Sequence, residues 1–296
     1  MPDFDDLLDN QPPPEASPAP EQPFDKEAWA AGKKQQREGL YAMADETAMG
    51  AVADPARFTQ YLDVQARFDR YSSTNALLVL AQRPEATRLG DLDHWKRGRI
   101  FIKRDEMPNA ILILAPGKEY HRKDGSVGIN MDVKRVYDVS QAERPRLQPI
   151  PQHDERSLIS ALAKASPCPV RLVDALSEGE IAQYNESANE IEVLRGMNSG
   201  DLFRSLSLEI SYAVLDHQAT ESLQCQDKNF AACAAAHVLC RKYGVEPQEI
   251  PYNVSEYFAG RDSKDIRAEL SEIRDTAGDV MRQMGKTLEP RKPEAR

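Results

Sequence analysis

The sequence predicts an α+β protein of two domains, on three observations. Helical apolar spacing fills residues 25–68 and returns at 75–82. An uncharged apolar run at 110–115 follows, short enough for a buried strand. After a proline-rich stretch the pattern restarts with a helix at 155–165, short strands at 170–173 and 190–194, and long helices to the end. The expected parts are a tail at 1–24, a first α+β domain at 25–142, a linker at 143–154, a second, mainly helical domain with a small sheet at 155–260, and a last helix with its tail at 261–296.

Composition narrows the function classes. At 296 residues and 41% hydrophobic, the chain can bury a sizeable core. It contains no apolar run near the ~18 residues of a membrane span, and its first nine residues are acidic rather than signal-like, so the expectation is a soluble, cytoplasmic protein with no membrane partner. A net charge of −10 repels DNA overall. Any nucleic-acid site must therefore be local, and an acidic decoy that mimics DNA stays open. Cys168, Cys225, Cys233 and Cys240 form no C-x-x-C pair and read as buried free thiols, and no cofactor is expected.

In order along the chain, residues 1–24 (MPDFDDLLDNQPPPEASPAPEQPF) are acidic and proline-rich, and read as a disordered tail or tether. Helices are expected at 25–50, with Leu40, Met43 and Ala44 apolar, and at 55–68, with Phe58, Leu62 and Phe68. Residues 71–116 organise the rest: a helix at 75–82 stops at Arg83-Pro84, a turn falls at Gly90-Asp91, and Trp95 precedes KRGRIFIKR, five cations without an acid. Alternation of Ile100, Phe101 and Ile102 between those cations predicts a basic hairpin with an exposed aromatic. That is single-strand chemistry: cations neutralise phosphates, and each base stacked on a ring contributes about 1–3 kcal/mol. The same residues also read as a solvated hairpin whose Trp and Phe belong to the core. A polar loop at 117–128 and a strand at 133–139 complete the first domain.

Many positions of this block match one family pattern in order: Tyr71, Asn75-Ala76-Leu77-Leu78, Gln82-Arg83-Pro84-Glu85-Ala86-Thr87, Trp95, Gly98-Arg99, Lys103-Arg104 and Leu112 to Pro116. The block resembles the N-terminal single-stranded-DNA-binding domain of the ArdC antirestriction family, but has Asp105-Glu106-Met107-Pro108-Asn109 where that family has Gly-Glu-Lys-Gly. The resemblance implies a DNA site formed by Tyr71, Asn75, Trp95, Lys96, Arg97, Arg99, Lys103 and Arg104.

In the second half, Asp201 reads as the N-cap of the helix LFRSLSLEISYAVLDHQ. The family's zincin-like domain carries Leu-x-His-Glu-x-x-His here, in which two histidines four apart bind zinc and the Glu activates water. The matching residues are Leu208, Glu209 and Tyr212, so the Glu remains and both ligand positions are replaced. The third ligand, a carboxylate on the next helix, falls at Ala231 or Cys233. His217, nine residues after Leu208, is half a turn out of phase with it; His237 can share a face with Cys233. The resemblance therefore implies a pseudo-metallopeptidase with no metal, a vestigial Glu209 and a core filled by Leu208 and Tyr212. The last helix, 262–284, carries Ile266, Leu270, Ile273, Ala277, Val280 and Met284 on one stripe and reads as a surface helix.

The resemblance implies a mobile or conjugative element's protein that binds single-stranded DNA and protects it from restriction, with proteins of DNA transfer or restriction as further partners. A DNA-mimic inhibitor, an interaction scaffold and a residual zinc peptidase are the alternatives.

Overall fold

The computed structural model describes residues 25–122, 125–145, 152–218 and 227–289. The expected N-terminal tail, Cys225, the centre of the linker and the C-terminal tail lie outside these. The protein is α+β. Its first half is α1 (Lys26–Ala53), α2 (Pro55–Arg67), α3 (Ser73–Gln82), β1 (Leu89–Gly90), α4 (Leu92–Arg97), β2 (Ile111–His121) and β3 (Val127–Asp138). The second is α5 (Glu155–Ala165), β4 (Val170–Val173), β5 (Ala182–Asn185), β6 (Glu190–Leu194), α6 (Ser199–His217), α7 (Lys228–Tyr243), α8 (Val254–Tyr257) and α9 (Ser263–Leu288).

Short polar side chains set the helix starts. Asp25 accepts from the backbone of Glu27 and Ala28. Asp54 ends α1 and caps α2, where Pro55 gives up an N–H that the first turn would leave unpaired. Ser72 and Asp91 cap α3 and α4 in the same way. For α6 the cap is Asn198, whose Oδ1 accepts from Asp201 N at 2.9 Å. The expected cap, Asp201, sits instead in the first turn, where its charge complements the helix dipole.

Two small sheets stand apart. In the first, of order β1-β3-β2, all pairing is antiparallel. The stretch expected to be a polar loop at 117–128 is mostly strand, because β2 and β3 stay paired past a register shift between Pro116 and Glu119 out to His121 and Val127. Its polar composition reflects a ribbon with both faces wet rather than a lack of pairing. A Cβ on Gly128 would lie 2.5 Å from the Tyr120 ring, so glycine lets that ring lie across the ribbon. In the second sheet, β6 pairs parallel with β4 and antiparallel with β5.

Helix α3 completes the open edge of β2 with two side-chain amides. Asn75 donates to Leu114 O at 2.8 Å and accepts from Leu114 N at 2.9 Å. Gln82 does the same at Leu112, with both distances 2.9 Å. Buried backbone groups must be paired, and here carboxamides stand in for a fourth strand.

One hydrophobic cluster runs through both halves of the sequence, from Leu40 and Phe58 through Leu77 and Ile113 to Phe203, Phe230 and Met284. Its axis is α9, which packs against α1, α3, α5, α6 and α7. The predicted stripe is buried in full, but the helix is central rather than superficial, since Glu269 and Thr276 are buried as well. Glu269 is held by Arg261 and the Tyr257 hydroxyl, which pair its buried charge.

Replacing Asn75 by Ala is expected to lower stability by about 2–4 kcal/mol, because Leu114 N–H and C=O lose both partners. Urea unfolding checks this, and a loss under about 1 kcal/mol would remove the clamp from the account.

Candidate functional site

The basic segment is not a hairpin. Lys96 and Arg97 close α4, Gly98 caps it, and Arg99 takes a left-handed backbone at φ 55°. Residues 101–103 then run beside 141–143, with Lys103 N donating to Gln141 O and Glu143 N to Phe101 O, both at 2.9 Å. Beneath lies a second, small core of Trp95, Ile100, Tyr137, Val139 and Ala142. Trp95 is only 3% exposed, and its indole N–H donates to Tyr137 O at 3.0 Å. The expected exposed aromatic is thus a core residue. Its place at the surface is taken by Phe101, 60% exposed among Lys96, Arg97, Arg99 and Arg104, which are exposed too. Lys103, half-buried, reaches Ser140 O at 3.4 Å.

Asp138 holds the loops that carry this segment. Its carboxylate accepts from the backbone of Thr87, Arg88 and Ser140 at 2.7–2.9 Å. Burial works against its charge, but the hydrogen bonds from Ser140, Arg88 and Thr87 outweigh it and hold the group below the usual carboxylate range. Gln141 completes the capping box and reaches Glu106 and Asn109.

Of the remaining residues expected at a DNA site, Asn75 is spent on the β2 edge and is 7% exposed. Tyr71 is half-buried, stacked on Phe68 with ring centres 5.6 Å apart, and lines an open groove of about 600 Å³. The β2–β3 sheet contributes Ala115, Pro116 and Met131 to its lining. Arg70, Arg97, Lys134 and Arg274 stand around it against one carboxylate, Asp91, which Lys134 approaches to 2.6 Å. The fold brings Arg97 and Tyr71 together here with Arg70, Lys134 and Arg274, which sequence reasoning missed; Phe101 was read among the cations but not placed in the DNA site. Arg274 carried no signal, since it lies on α9 some 203 positions from Tyr71, whose carbonyl its Nε contacts at 3.1 Å. Gly90 lets the His94 ring pack against it, since a Cβ there would lie 2.4 Å from that ring.

The helix pair α6 and α7 holds the positions expected to be vestigial. Leu208 and Cys233 line one cleft of about 250 Å³, together with Arg204, His237 and Cys240. Leu208 and Tyr212 therefore do not fill the space completely. Tyr212 turns its hydroxyl to Glu186 at 2.8 Å, and burial with Glu186 beside it pushes the phenol up to about 12. Burial pushes the Cys233 thiol up to about 11. His237 is buried with Nε2 at 2.8 Å from Asp63 on α2, and His217 sits outside the cleft against Asn189 at 2.6 Å. These donors do not suit zinc: an aliphatic chain, two groups held protonated, and an imidazole nitrogen already engaged. Among the described residues no three His, Cys, Asp or Glu side chains are grouped to hold a metal.

Glu209 accepts from Tyr184 N at 2.7 Å. Burial raises its carboxyl above the ordinary value, Glu180 adds to the shift, and the Tyr184 bond only partly opposes it.

The architecture has solved counterparts. The metal-free crystal structure of the antirestriction ArdC protein from the R388 plasmid matches at a TM-score of 0.51 and 15% identity, over 73% of this chain and 86% of that one. Its Mn(II)-bound structure matches at 0.52 and 14%, over 72% and 85%. The fold is similar to that of ArdC. At these identities the likeness shows the fold alone. No family model and no curated protein sequence matches the chain.

The raised Glu209 carboxyl has a definite sign. Its contribution to stability is fully present below the unfolded value near 4.5 and is lost as pH rises through the folded value. Glu209→Gln is thus expected to raise Tm relative to the native chain at about pH 8, with the difference shrinking towards about pH 4. A difference independent of pH in thermal melts would remove the buried-carboxyl account.

Proposed function

We propose that the chain binds single-stranded DNA as a protein of a mobile or conjugative element and acts against restriction, with a zincin-like helix pair that has lost its catalysis. One observation carries the reading. On a molecule of net charge −10, the described surface gathers Lys96, Arg97, Arg99, Lys103 and Arg104 around an exposed Phe101 ring. Local cations neutralise phosphates against the overall repulsion, and a lone exposed ring stacks a base only if the base is already out of a duplex. Likeness of fold to an antirestriction protein supports the same direction.

The second half contributes packing rather than chemistry. Although one similar structure is Mn(II)-bound, this chain has Leu208, Tyr212 and Cys233 where metal ligands are expected, and Glu209 has no metal-bound water to activate. Partners of DNA transfer or restriction remain part of the proposal, as does a cytoplasmic location. Among the described residues no helix is long and apolar enough to cross a membrane.

Titration of fluorescent oligo-dT and of duplex over a range of salt tests the reading. The native chain is expected to prefer the single strand. Replacing Arg99, Phe101 and Arg104 by Ala should cost at least about tenfold in affinity and reduce the salt slope by about two, one for each phosphate contact removed. Equal weak binding of both DNAs by native and altered chains would defeat it. Protection from restriction that survives the substitutions would point to a DNA mimic instead.

Elemental analysis after dialysis against zinc is expected to find no stoichiometric metal in the native chain. It should find about one zinc per chain in Leu208→His/Tyr212→His/Cys233→Glu, which restores a two-His, one-carboxylate set. Stoichiometric zinc in the native chain would revive the peptidase reading.

A further inference from the structure

The groove between the first sheet and α9 has the chemistry of a nucleotide seat. Its apolar lining includes Ala115, Pro116 and Met131, with Tyr71 beside them. Four Arg or Lys residues line it with one carboxylate, Asp91, and Asp275 of the adjoining hollow pairs with Arg274, which leaves a local excess of two positive charges on a chain of net −10. Two of these cations, Arg70 and Arg274, also line the adjoining hollow along α9, so they stand where the two spaces meet. Arg274 is braced by Tyr71 O and Asp275, which leave its Nη2 without a hydrogen bond among the described residues. Arg70 is exposed and enters no hydrogen bond or ion pair among them.

We propose that one nucleotide of a bound single strand enters this groove, its base against the apolar lining beside Tyr71 and its phosphate between Arg70 and Arg274. The proposal rests on the single-strand reading and extends it. The strand runs from the exposed Phe101 segment past Arg97, the cation common to both places, into a pocket whose far wall is the last helix. A flat base loses water against this lining while guanidinium groups hold the charged backbone at the rim. A duplex can present a base here only after unstacking it, so the groove adds to the preference for single strands. DNA binding then needs α9 seated, although α9 lies far outside the sequence block that resembles a DNA-binding domain.

The test uses the full chain and oligo-dT in which one thymine is replaced by 5-iodouracil, with Arg70→Ala and Ala115→Trp as variants. Arg70 is exposed and unpaired, so its replacement spares the fold; the added indole blocks the groove. Expected are a loss of about fivefold or more in affinity for each variant, a salt slope lower by about one for Arg70→Ala only, and photocrosslinks at Tyr71 or Met131 in the native chain. If Ala115→Trp melts early, Arg70→Ala and the crosslink map decide. Crosslinks confined to Phe101, with native affinity in Arg70→Ala, would overturn the groove while leaving the single-strand reading in place. No binding of oligo-dT by the native chain at low salt would overturn both.

Discussion

A β-strand at a sheet edge presents unpaired N–H and C=O groups that must find partners if they are buried, and much of this protein depends on how β2 meets that demand. Asn75 and Gln82 on α3 each donate to and accept from one residue of the strand, at Leu114 and Leu112. The clamp fixes both the height and the rotation of α3 against the sheet. Because α3 also packs on α1, α2 and α9, and α1 packs on β2 and β3 as well, the sheet is held against the helical core through these two helices and by burial of Ile111 and Ile113. The groove lies beside this junction, with Asn75 and Leu114 in its wall and Arg274 opposite.

The other end of the sheet is organised by charge rather than by packing alone. Asp138 collects three backbone N–H groups and, through Gln141, reaches the turn at Glu106. Trp95 is drawn into the small core below, and the cations around it are left outside. A basic run of alternating character can thus place its apolar members in a core and its cations in water without forming a hairpin.

In the second half, α6 and α7 bring Leu208, Cys233, His237 and Cys240 to one cleft whose side chains do not suit a metal. Leu208 and Cys233 line it from opposite helices, so residues at these two positions meet across the α6–α7 packing. The helix pair is tied to the first half through Asp63, which joins His237 and Arg241 of α7 to α2, and through Lys242 with Asp69. His237 and Arg241 thereby serve the joint between α2 and α7.

Periodicity and capping chemistry by themselves determined the α+β class, the spans of α5, β4 and β6, and the apolar stripe of α9, because those depend on neighbours three, four or two residues away. That Leu208 offers no atom for a metal was equally plain in the sequence, since coordination needs particular atoms. What only the tertiary structure decided were matters of distant partners. Asn75 became a strand clamp because Leu114 lies beside it, Trp95 went inside because Tyr137 offers a carbonyl, and the 117–128 stretch became ribbon because two polar segments pair through backbone alone. Arg274 came to the groove because α9 threads the core, and no local pattern records which residue a helix so far along the chain will meet.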